Sequence, residues 1–130
     1  MNEDTWNQVW IEFQAAMLEF ELRLKERVPE FRLGMRRGNP GAVWPYHMYA
    51  DFFQGENDAV FGFQAQSKNG KIVVEGDVSN EQGTFLEVLV EQILDPAEGG
   101  DERILEIARE YFARVSGQLD LVVSLVVEGR

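Results

Sequence analysis

The sequence predicts an α+β fold: a long N-terminal helix, an antiparallel meander of three or four strands, a second helix and a C-terminal strand, with both helices on one sheet face. Three observations predict it. Apolar residues recur every three and four positions over residues 5–28. The period changes to two from Trp44 onward. The pair Asn69-Gly70 stands between two alternating runs, as in a two-residue hairpin whose central positions both take positive φ.

The first helix gathers Trp6, Val9, Trp10, Phe13, Ala16, Met17, Phe20 and Leu24 into one stripe, with Asp4 or Thr5 as cap and Pro29 as stop. An aromatic stripe this long must be covered, so it reads as core. The glycine-rich run Gly34 to Gly41 then reads as a connection. Trp44, Tyr46, Met48, Ala50 and Phe52 share one face of a strand, and Ala59, Phe61, Phe63 and Ala65 one face of the next. A turn at Gly55-Glu56-Asn57-Asp58 that pairs Gln54 with Ala59 sets Phe52 against Phe61 and Ala50 against Phe63. Across Asn69-Gly70, Ala65 meets Val74, Phe63 meets Gly76 and Phe61 meets Val78, while Gln64 meets Glu75 on the opposite face.

Residues 84–94 fit a helix as well as a strand. The strand is preferred because a loop Glu81-Gln82-Gly83, with Gly83 in a bulge, puts Leu86, Val88 and Val90 opposite Val78, Gly76 and Val74. Asp101 then caps a helix whose apolar side is Ile104, Ala108, Tyr111, Phe112 and Val115. On its wet side Glu106 can pair with Arg109 and Glu110 with Arg114. Ser116-Gly117 ends it. The run "QLDLVVSLVV" is apolar on both sides, as expected of a strand that is buried or joins a second copy in a homodimer. Continuation of the helix is the alternative.

Residues 1–130 suit a single domain, long enough to bury roughly two-thirds of the surface of the unfolded chain. The absence of cysteine removes disulfides and thiolate chemistry and favours a reducing cytoplasm. No leader-like segment opens the sequence, and no apolar run approaches the roughly 18 residues of a membrane span. The expectation is a cytoplasmic protein without a membrane partner. Its net charge of −11 is uneven: residues 23–37 are basic and hold Arg36 and Arg37, while residues 75–130 are strongly acidic. Such a field repels nucleic acid and favours a cationic partner.

Chemistry-bearing patterns are few. Gly34, Gly38 and Gly41 follow a helix and precede a strand, the reverse of a phosphate loop. His47 and Asp51 share a strand face, but four strand residues span about 13 Å, too far for a catalytic dyad. One histidine and no cysteine argue against a zinc centre, and no loop has the ligand spacing of a calcium-binding EF-hand. No cofactor, metal or catalytic residue is therefore expected. The predicted register places Asp77 across from Glu87, with Glu75 and Glu91 beside them on the face away from the core, where like charges repel. A basic protein partner would relieve that repulsion. In outline the layout resembles small acidic helix-and-sheet proteins that act as toxin immunity proteins or secretion chaperones. The expected function is binding of a basic partner through Glu75, Asp77, Glu87, Glu91, Arg36 and Arg37. The alternatives are a ligand-binding or enzymatic domain with an aromatic pocket at Trp10, Trp44, Tyr46 and Phe61, and a structural homodimer joined by the C-terminal segment.

Overall fold

The computed structural model describes residues 3–38, 46–80, 85–97 and 100–129. Its elements are α1 (Glu3–Lys25), β1 (Arg32–Arg37), β2 (Tyr46–Gln54), β3 (Asn57–Lys68), β4 (Lys71–Ser79), β5 (Phe85–Leu94), α2 (Gly100–Val115), a 3-10 turn (Ser116–Gln118) and α3 (Leu119–Glu128). The five strands form one antiparallel sheet in chain order. The α+β class and the helices packed on the sheet stand as the sequence predicts.

Alternation explains where the core lies. On β2, Tyr46, Met48, Ala50 and Phe52 are buried while His47, Tyr49, Asp51 and Phe53 between them are half-buried. The buried face meets the helices through rings. Phe20 of α1 lies 5.3 Å from Phe52 and 5.2 Å from Phe61, Trp6 lies 5.1 Å from Tyr46, and Tyr111 of α2 lies 5.6 Å from Phe63. Ion pairs fasten the helices to each other: Arg109 on α2 grips both carboxylate oxygens of Glu12 on α1 at 2.8 and 3.0 Å. Arg109 is thus taken by another helix, and Glu106 pairs instead with Arg103, while Glu110 and Arg114 pair as expected.

Four sequence expectations need correction. The segment 118–128 is helical, not a strand: Val122, Leu125 and Val126 recur at helical spacing and enter the core against β2 and β3, and left-handed Gly129 ends the helix. A strand, β1, lies where a connection was expected; Leu33 and Met35 face the core opposite Phe52 and Ala50. The β2–β3 turn is shorter than expected. Gln54 pairs with Asn57 around Gly55 and Glu56, with Gly55 at φ +60° as a glycine-first turn requires, so Ala50 meets Phe61 and Met48 meets Phe63. Both faces survive because the slip is of two residues.

The fourth correction concerns β4 and β5. Ser79 pairs with Phe85, as the predicted register implies, but one-residue bulges follow between Val78 and Ser79 and between Gly76 and Asp77. Val90 therefore meets Gly76 rather than Val74, and Asp77 meets Val88 rather than Glu87. The β3–β4 hairpin needs no correction: every predicted pair is present, with Asn69 at φ 54° and Gly70 at φ 76°.

The helix α1 is apolar on two sides. Opposite its buried stripe, Ile11, Leu18 and Leu22 are 58%, 48% and 66% exposed. Among the described residues no helix is long and apolar enough to cross a membrane.

Candidate functional site

The sheet face turned away from the helices is covered by no described element. Because opposite residues of an antiparallel sheet share a face, the register writes its surface as rows that cross the strands. One row runs Arg36, Tyr49, Gly62, Asp77, Val88 from β1 to β5. The next runs Gly34, Asp51, Val60, Ser79. On the other side, His47, Gln64, Glu75 and Glu91 form a third.

Within the first row, Gly62 is the floor. A Cβ there would lie 3.4 Å from Asp77 Oδ1 and 3.5 Å from Tyr49 Cδ1, so the carboxyl and the ring lean together over the space glycine leaves. The Arg36 guanidinium lies 5.8 Å from the Tyr49 ring centroid. Asp77 is only 8% exposed, although it sits on the outer face. Burial first, and then the neighbouring charge of Glu75, push its carboxyl up to about 7. The third row is acidic outright: Glu75 and Glu91 face each other, and Glu75 accepts only a long 3.4 Å bond from Gln64 Nε2.

The face also holds a groove of about 580 Å³ with Arg36, Tyr49, Asp51, Phe53, Val60 and Ser79 among its walls. It follows the second row, and Tyr49 separates it from Asp77. A cation, a carboxylate, an aromatic ring and apolar carbon are thus brought together on a surface of strands rather than loops.

Of the residues singled out from sequence, the structure brings Glu75, Asp77 and Glu91 together and places Arg36 on the same sheet face, three strands away from Asp77. Glu87 is set apart, because the bulges place it opposite core-facing Val78. Arg37 points the other way, toward α1: it donates a 2.6 Å hydrogen bond to Asn7 and lies 5.7 Å from the Trp10 ring. Tyr46 and Phe61 are core residues against Trp6 and Phe20, and Trp10 stacks on Phe13 at 5.9 Å. Trp44 lies outside the described residues. His47 packs its ring 5.2 Å from Tyr49 and against Gly38, where a Cβ would overlap it. The sequence reading missed Tyr49 and Gly62, whose roles follow from the β2–β3 register alone. Among the described residues no cluster of three metal-ligating side chains occurs. Compared with known proteins, the chain matches no family model, no curated protein and no solved structure.

Proposed function

We propose that this protein is a non-catalytic binding protein that neutralises or escorts a basic protein partner, in the manner of an immunity protein or a chaperone, and acts in the cytoplasm. The observation that carries this reading is the facing pair Glu75 and Glu91 beside Asp77 on a sheet face that no described element covers. Facing like charges cost about 0.2–1 kcal/mol. A cationic surface laid on them turns that cost into attraction and speeds encounter. The exposed apolar side chains Val88 and Ile93 border the acidic row and give the contact some burial.

Affinity capture from native lysate tests the reading. A partner retained by the wild type and released by Glu75→Lys with Glu91→Lys supports it; both residues tolerate charge reversal structurally because neither is buried. Recovery of no partner, or of one indifferent to the reversal, counts against it.

A second reading, small-molecule binding, is favoured by the groove of about 580 Å³, which offers Arg36 and Asp51 beside aromatic carbon. A ligand screen by thermal shift tests it, since binding to the folded state alone raises the melting temperature.

A further inference from the structure

We propose that Asp77, Tyr49 and Gly62 form a socket for one primary ammonium group, the side chain of a lysine on the basic partner. The proposal rests on the binding reading above and names the anchor point within it. The Asp77 residue is more than nine-tenths buried, yet among the described residues its carboxyl meets no hydrogen-bond donor and no cation. The remaining 8% exposure leaves the carboxyl open to a donor that arrives from outside. Arg36 lies in the same row but cannot supply it. Three strand spacings, about 14 Å, separate the two main chains, and the Arg36 guanidinium lies over Tyr49.

The groups around the carboxyl favour one kind of cation. Beside the carboxyl stand Gly62, which has no side chain, and the Tyr49 ring, and Val88, 47% exposed, pairs with Asp77 from the edge strand. An ammonium is a compact charge on a four-carbon stem, and the stem can lie along ring and valine while the charge reaches the carboxyl. A guanidinium presents a planar fork that is matched only by two acceptor oxygens in its plane. The ring adds cation–π attraction beside the carboxylate.

Seating the lysine is coupled to a proton. The free carboxyl is pushed up to about 7, so near neutrality about half of it carries a proton. When the ammonium arrives, the acid O–H bond breaks, the proton leaves to solvent, and a carboxylate–ammonium pair remains. The groups facing Asp77 are Glu75 along β4, which raises its affinity for the proton, and Glu91 opposite Glu75. Tyr49 and His47 stand on β2 and Gln64 on β3, while Tyr111 of α2 bonds the main-chain carbonyl of Asp77 rather than its carboxyl.

The test uses the whole chain with carbon-13 labelled aspartate, and synthetic octalysine and octaarginine as probes at low salt. Below the pH at which free Asp77 ionises, octalysine should move the Asp77 carboxyl resonance from the protonated to the ionised position. In Asp77→Asn, an isostere of the protonated acid that keeps the fold, octalysine should bind about tenfold or more weaker. Tyr49→Leu should weaken it by a smaller factor. Unchanged binding in Asp77→Asn with an unmoved Asp77 resonance overturns the socket while leaving the acidic-face reading intact. Equal movement of that resonance by octaarginine overturns the choice of lysine. No binding of octalysine by the wild type overturns both readings.

Discussion

Tyr111 donates a 3.0 Å hydrogen bond from its hydroxyl to the main-chain carbonyl of Asp77, at the point where the β4–β5 ladder breaks register. On the other strand, Leu89 is the residue left without a partner by that bulge, and Arg114 donates to its carbonyl at 2.7 Å. The helix α2 thus holds both sides of the bulge, satisfying carbonyl groups that a regular ladder would have paired. Tyr111→Phe should cost about 1–2 kcal/mol, because it strips the donor from a buried acceptor. Gly76→Ala should cost more, about 3 kcal/mol, since its Cβ would overlap the Tyr111 ring. Urea unfolding measures both; equal stability of Tyr111→Phe and wild type would show the bond to be idle.

The proton on Asp77 sets a pH dependence of stability. Its carboxyl has an ordinary value of 3.8 and is pushed up to about 7 in the fold, so between those limits the folded chain holds more protons than the unfolded one. Stability from this group is fullest below the ordinary value and is lost as pH rises through the window to about 7. Asp77→Asn should abolish that slope and be the more stable protein in mildly alkaline buffer. Parallel thermal scans of the two proteins check it; a constant difference at every pH would refute the account.

Neighbouring arginines should behave differently. Arg37→Ala removes a charged hydrogen bond to Asn7 and a contact with Trp10, and should cost about 1.5–3 kcal/mol. Arg36→Ala loses only an exposed contact with Tyr49 and should cost less than about 1 kcal/mol. Chemical denaturation ranks them, and a reversed order would mean the two side chains had been assigned to the wrong faces.

The two apolar sides of the terminal helices should also separate. Leu22→Ser, on the exposed side of α1, should change stability by less than about 0.5 kcal/mol. Val122→Asp, on the buried side of α3, should unfold the protein, because it buries a charge without a partner. Circular dichroism during heating distinguishes them.

Legibility from sequence followed the range of the interactions. The β3–β4 hairpin was readable because Asn69-Gly70 fixes its own register, and α1 because eight apolar residues agree on one face. The C-terminal helix was misread because valine favours strands in general, while here its helical spacing fits the groove beside β2 and β3; tertiary packing overrode local preference. Strand β1 was hidden by Gly34 and by its arginines, although Leu33 and Met35 alternate as a strand requires. Of the candidate site, Glu75, Asp77, Glu91 and Arg36 were found through alternation and charge. Glu87 was lost to two bulges, which no local signal announces, and Tyr49 emerged only once the β2–β3 turn was known to be two residues shorter.

The ties of α1 to the far end of the sequence govern how the chain can fold. Arg23 donates to the Ser116 carbonyl, Arg27 pairs with Asp120 and Glu12 with Arg109, each closing a loop of more than ninety residues. The hairpins between them can form early and locally, whereas α1, which packs on β2 and β3 through Trp6 and Phe20, completes its contacts only when α2 and α3 dock across these long loops. Closure of those long loops, rather than formation of the hairpins, should therefore set the pace of folding.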